Sequence, residues 1–291
     1  MYTLNSRVLM SDANHFSVDQ PINPYYGDGS LDQTQAIAEH AAIKAALQRA
    51  GIEVVTVPSP TDSQDGVYAA NWALVRGDTA VLARLPAVRS AEEAHAARIL
   101  SELGKNVVML PEGMKFSGQG DALICGPYVF CGSGYRSDVE AQRIAAETLG
   151  LQRVQLQTIP SRDANGNPVM NAVSGWPDSF FYDIDLALAV IKAPTENEKG
   201  LIAYCPDAFM QESQHILEQF TAVEKIQVSL DEAQHAFAAN LVSNGTAVVM
   251  SAHAPQLKAE LEERGLIVFT PEVHELAKGG GYIRCTSLSI D

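Results

Sequence analysis

Lys278-Gly279-Gly280-Gly281-Tyr282-Ile283-Arg284-Cys285 sets one cysteine just after a triple glycine and directly beside an arginine. A cysteine reacts as its thiolate, which a neighbouring cation favours, and glycine lets the backbone take positive φ and pass close to a ligand. This pattern marks Cys285 as a nucleophile. The competing reading is a turn before a terminal strand whose small buried side chain happens to be cysteine.

A chain of 291 residues with 46% hydrophobic content can bury a large core, and 1–291 reads as one domain. Its 20 basic and 35 acidic residues leave a formal charge of −15. That balance argues against nucleic acid or an anionic membrane surface as partner and favours a small cation. Cys125, Cys131, Cys205 and Cys285 are too scattered for zinc-type pairs. Together with a start that lacks a signal-peptide pattern, they point to free thiols in a reducing cytoplasm. No apolar run reaches the length of a membrane span. Neither a metal nor an organic cofactor is implied, and a homo-oligomer is compatible with the sequence.

The elements that must position such a cysteine follow a repeated order of helix, break and β-branched strand. It occurs at 45–51 with 53–58, 100–104 with 107–111, 147–150 with 154–160, 217–220 with 226–229, and 261–265 with 267–271. Further strands are expected at 79–83, 128–131 and 247–250, and 186–191 reads as a buried strand. Ser229 and Glu232 have capping-box spacing ahead of a helix carrying Ala233, Phe237 and Leu241. Residues 163–168 read as a hairpin tip. Five such modules suggest repeats around an axis with loops converging on a central site, and a doubly wound open sheet is the alternative.

On these residues the chain resembles the guanidino-group-modifying superfamily, which includes arginine deiminases and dihydrolases, dimethylarginine dimethylaminohydrolases and amidinotransferases. The matching segments are Phe16-Ser17-Val18 with Ile22-Asn23-Pro24, Asp65 to Asn71, Gly118 to Leu123, Gly134 to Asp138, Tyr182 to Asp185, and Gly279 to Cys285. The resemblance implies a pentein-type α/β propeller of five ββαβ repeats with pseudo-fivefold symmetry around a central active site. It also implies a cysteine-dependent hydrolase of the guanidino group of arginine or a related small guanidino acid, acting through a covalent thiouronium. An amidinotransferase, or a relative that only binds a guanidino or ureido ligand, is the alternative. By the same resemblance, Asp65, Tyr68, Asn71 and Asp185 hold the guanidinium. Arg136 and one of Arg84 or Arg89 clamp a carboxylate, and Asn23 contacts the ligand.

One departure bears on the mechanism. Asp183 stands where the family has its general acid–base histidine, and Ser117 where a glutamate orients that histidine. Three readings stay open. Asp183 is an acid whose pKa is raised by burial and by Asp185; or His15 or His274 enters the site; or turnover is weak or absent.

Overall fold

The computed structural model describes residues 4–27 and 30–291. Five three-stranded sheets repeat one design. In the first, β1 (Arg7–Ser11) leads through α1 (Gln33–Arg49) to β2 (Glu53–Val57), which lies parallel to β1. The second sheet is β3 (Ala73–Arg76), β4 (Thr79–Leu82), α2 (Ala91–Glu102) and β5 (Asn106–Val108). The third is β6 (Ala122–Cys125), β7 (Tyr128–Ser133), α3 (Val139–Thr148) and β8 (Gln152–Gln157). The fourth is β9 (Leu188–Lys192), β10 (Gly200–Tyr204), α4 (Gln211–Gln219) and β11 (Val223–Gln227). After the short α5 (Leu230–His235) comes β12 (Val242–Ser243), β13 (Ala247–Val249), α6 (Pro255–Glu263) and β14 (Ile267–Phe269).

In the second to fifth sheets the first strand joins the second antiparallel and the helix returns the chain to a parallel third. Sheet one obtains its antiparallel strand from the far end of the sequence: β15 (Leu288–Ser289) pairs with β1, Val8 facing Ser289. The five antiparallel strands share one cavity. It is lined by Val75 of β3, Ile124 of β6, Ala189 of β9, Leu241 just before β12, and Ser289 of β15. The repeats are therefore arranged around a common centre.

Burial explains which strands the sequence shows best. The middle strands β4, β10 and β13 are almost wholly buried, while the third strands β2, β5 and β14 keep exposed positions. The helix-to-strand punctuation matches because a glycine follows the helix, as at Gly51 with φ 83°, where the chain reverses left-handed. The segment 163–168 lies in a turn flanked by a bridge between Arg162 and Pro168.

The expected helix after Ser229 is shorter than its spacing implied. Ser229 Oγ does accept the Glu232 N–H at 3.2 Å, but α5 ends at His235 and Phe237 turns back with φ 52°. Glu232 does not close a capping box. Its carboxylate accepts the Gln256 and Leu257 N–H groups at 2.7 and 3.1 Å, and so caps α6 instead. Phe237 leaves the helix to stack on Tyr282, ring centroids 5.3 Å apart and planes within 10°. Tertiary stacking overrides the helical period there.

Candidate active site

The loop that carries Cys285 is held from both sides. Glu39 of α1 accepts the Glu275 and Leu276 N–H groups at 2.8 and 3.1 Å, which fixes the start of a 3₁₀ turn over Leu276–Gly279. The chain then reverses at Gly280, φ 85°, where a Cβ would collide with the Asn23 side chain. Asn23 in turn donates to the Gly279 carbonyl at 2.9 Å, and Tyr182 to the Gly280 carbonyl at 2.7 Å. Cys285 emerges 3% exposed. Asn240 grips it twice: its Oδ1 accepts the Cys285 N–H at 3.1 Å and its Nδ2 lies 3.1 Å from Sγ. The thiol points at Asp185, Sγ to Oδ2 3.4 Å.

Asp183 precedes a 3₁₀ turn over Ile184–Leu186 and Asp185 lies within it, and both are fully buried. Asp183 Oδ2 accepts Asn71 Nδ2 at 2.8 Å, and Ser117 also bonds this carboxylate. The close approach explains the glycine of the Gly118-Gln119-Gly120 segment, because a Cβ at Gly120 would sit 2.6 Å from Asp183 Oδ2. One oxygen of each carboxylate, Oδ1 of Asp183 and Oδ1 of Asp185, is buried with no hydrogen-bond partner. Asp121 has a similarly unpartnered Oδ2, its Oδ1 accepting the Ile184 N–H at 3.0 Å.

Electrostatics follow from this crowding. Burial pushes the Asp185 carboxyl well above the usual range, and Asp183 adds to the rise while Arg284 opposes it. Burial also raises Asp183, countered by Arg136 and by hydrogen bonds from Asn71 and Ser117. Asp121 is raised well above its ordinary value by burial and by Asp183. For Cys285, burial and then Asp185 push the thiol well up. These surroundings favour the neutral thiol, because ionising it would place an anion in a buried site beside the Asp185 carboxyl.

Arg284, adjacent in sequence, does not reverse this. Its guanidinium turns to the far side of the loop, bonding Asn5 Oδ1 at 3.2 Å and Gln119 Oε1, and lines the central cavity rather than the cleft. That cavity has a volume of about 300 Å³, and the cleft at Cys285 is much tighter. The tighter space is the one that Cys285 lines.

Asn23, Asp65, Tyr68, Asn71, Arg89, Arg136, Tyr182 and Cys285 all line this cleft. Asp65 is buried, accepts the Tyr26 hydroxyl at 2.7 Å, and is raised by burial against the pull of Arg89. Arg136 stacks over the Tyr182 ring at 3.9 Å and donates to the Ile22 carbonyl at 3.0 Å.

Several expected ligand contacts are engaged elsewhere. Arg89 places its fork on Glu92, both bonds 2.7 Å, and also donates to Asn71 Oδ1 at 2.9 Å. Asn71 thereby joins Arg89 to Asp183. Arg84 donates to the Leu110 carbonyl and to Glu93 and does not line the cleft. Tyr68 directs its hydroxyl to the Leu276 carbonyl at 2.6 Å. His15 and His274 are both exposed and line no part of the cleft.

Asn240 and Asp121 were not singled out from sequence. Asp121 stood inside a matched segment without a role. The one available signal for Asn240 was a polar residue embedded in the apolar run Ala236 to Val242.

Comparison with known proteins gives a consistent picture. The chain is 31% identical to N(G),N(G)-dimethylarginine dimethylaminohydrolase of Mycobacterium tuberculosis, covering 98% of this chain and 85% of that one. It is 28% identical to the bifunctional arginine dihydrolase/ornithine cyclodeaminase ArgZ of Synechocystis sp., over 98% of this chain but only 37% of that protein, so it spans well under half of the bifunctional relative. The N-terminal domain of a cyanobacterial ArgZ variant, solved with a covalently bound reaction intermediate, superposes with a TM-score of 0.85 at 26% identity, covering 98% of this chain and 97% of the other. The model of the family described as N,N dimethylarginine dimethylhydrolase, eukaryotic, matches residues 25–290, and the chain belongs to that family.

Proposed function

We propose that residues 1–291 form one catalytic domain, a cysteine-dependent hydrolase of the guanidino group of arginine or a related small guanidino acid. The observation that carries this reading is the pair of buried, unpartnered Oδ1 atoms on Asp183 and Asp185, with the other oxygen of Asp185 3.4 Å from the Cys285 thiol. Buried carboxylates left unsatisfied are costly, and a planar cation with several N–H donors satisfies them. The relatives' activities, named for arginine and for dimethylarginine, point to the same class of substrate.

Guanidinium binding would bring a positive charge next to Cys285 and so lower the thiol pKa that burial and Asp185 hold up. The thiolate attacks the central carbon. The departing amine takes a proton from the neutral Asp183 carboxyl, leaving a thiouronium on Cys285. Asp183, now ionised, accepts a proton from water as that water attacks the same carbon, and the C–S bond breaks to release the ureido product. Asn71 and Ser117 hold Asp183 in orientation. Arg136, stacked on Tyr182 at the cleft wall, is placed to pair with the substrate carboxylate. The four buried free cysteines suit a reducing compartment, and no helix among the described residues is long and apolar enough to cross a membrane.

The test is to incubate the protein with arginine, methylarginines and S-methylthiocitrulline, quench, and weigh the peptide carrying Cys285. A covalent mass increase confined to Cys285 is expected. Its absence with all of these compounds, with arginine and the methylarginines left unconsumed, would overturn the hydrolase reading and leave a binding protein.

A further inference from the structure

The scattered cysteines point away from metal binding, but a histidine pair on the fifth sheet does not. β13 and β14 run parallel with Val249 facing Phe269, and Met250 continues the ladder by donating to the Phe269 carbonyl at 3.0 Å. The two chains leave the sheet side by side. His253 therefore emerges opposite Glu272 and His274, although 19 and 21 positions separate them in sequence. His253 Nε2 lies 3.5 Å from Glu272 Oε2, and His274 Nε2 lies 3.6 Å from the same oxygen. One ligand atom from each of the three falls within 4.8 Å of the others.

We propose that His253, Glu272 and His274 form a surface site for a divalent transition metal, zinc by preference. Bonds of about 2.0–2.2 Å from zinc to imidazole nitrogen and carboxylate oxygen place tetrahedral ligands about 3.3–3.6 Å apart. Both measured edges fall at that separation. Two imidazoles with one carboxylate suit zinc among the common ions, since calcium and magnesium prefer all-oxygen shells. A fourth position stays open to water because all three side chains are exposed.

The site lies one hydrogen-bonded layer from the nucleophile loop. Ser251, two residues before His253, lies 3.3 Å from the Tyr282 hydroxyl through its Oγ, and that hydroxyl donates to the carbonyl of Val273, between the other two ligands, at 3.3 Å. Tyr282 precedes Cys285 by three residues. An ion joining the two segments would hold both partners of Tyr282 at a fixed separation.

The experiment uses the full chain carrying Cys285→Ser, without an affinity tag and cleared of metal by a chelator, so that the active-site thiol cannot bind the ion. Zinc is titrated in competition with a chromophoric chelator, and cobalt(II) is added in parallel for its visible spectrum. The expected result is one equivalent of zinc per chain, weakened at least about tenfold by His253→Ala and by His274→Ala. His15→Ala, at another exposed histidine, should leave it unchanged. Cobalt should show the intense d–d bands of a low-coordinate nitrogen and oxygen site without thiolate charge transfer. Hydrogen exchange over 278–285 should slow when zinc is bound. Failure to saturate at millimolar zinc, or equal binding by the double histidine variant, would overturn the site. Unchanged exchange in a zinc-saturated protein would overturn the link to Tyr282.

Discussion

Asp183 and Ser117 are best understood together. A carboxylate facing Asp183 would add a further buried anion to Asp121, Asp183 and Asp185, whereas a serine hydroxyl bonds Asp183 without charge. With its pKa raised, Asp183 can stay protonated where an ordinary aspartate is ionised. The rate should then fall as pH rises through that raised pKa, since the acid form is the one that protonates the leaving amine. Asp183→Asn should lower turnover by about 100-fold and abolish that alkaline limb, measured as a pH–rate profile. Cys285→Ser should reduce turnover to background while circular dichroism stays native, because the two side chains are nearly the same size. After the backbone of Tyr282, Asn240 supplies a second hydrogen bond that opposes the rise in thiol pKa. In Asn240→Ala, iodoacetamide labelling of Cys285 at neutral pH should slow severalfold, and equal rates would remove Asn240 from thiol control.

At the scale of elements, the site depends on loops pinned by distant carboxylates. Glu39 reaches from α1 to the turn before the triple glycine, and Glu232 reaches from α5 to the first turn of α6. The α6 start has no side-chain cap of its own, Ala254 occupying that position. Glu232→Ala should therefore cost about 1–2 kcal/mol in denaturant melts, in the range of a lost helix cap with its charge at the positive end of the dipole. Activity should be less affected than stability, since no residue of α6 lines the cleft at Cys285. Gly280→Ala should show the opposite balance. Its positive φ and the collision with Asn23 would displace the loop that presents Cys285, so covalent labelling by substrate analogues should fail in a protein that still melts cooperatively.

For the whole molecule, the centre gathers carboxyls whose folded pKa values lie above the ordinary 3.8: Asp65, Asp121, Asp183 and Asp185. The folded state then binds more protons than the unfolded chain once pH exceeds that ordinary value. Such a group contributes stability that is fully present below the unfolded pKa and is lost as pH rises through the folded one. The ligand-free protein should accordingly show a melting temperature that declines on going from about pH 5 to pH 8. A guanidino ligand should flatten the decline, because its charge favours ionised Asp65 and Asp185, the carboxylates assigned to hold it. Calorimetry across that range checks both, and a melting temperature that rises with pH in the absence of ligand would contradict the raised values.

Much of this was readable before any coordinates. Cys285 after Gly279–Gly281, the five helix-to-strand units and the segments around Asp65, Asn71, Arg136 and Asp183 are local patterns, set by backbone freedom, periodicity and side-chain chemistry within a few residues. The same locality explains what could not be read. Arg284 sits next to Cys285 in the chain, yet the loop sends its guanidinium to the opposite side, so sequence adjacency did not become electrostatic activation. Arg89 has the chemistry of a carboxylate clamp, but Glu92 is one helical turn away and takes its fork. Asn240, which binds both the N–H and the thiol of Cys285, lies 45 residues from it. β15 completes the first sheet from the far end of the chain. Which side chains face one another across the centre is fixed by the closing of five sheets around it, and that long-range geometry has no signature in any short window of sequence.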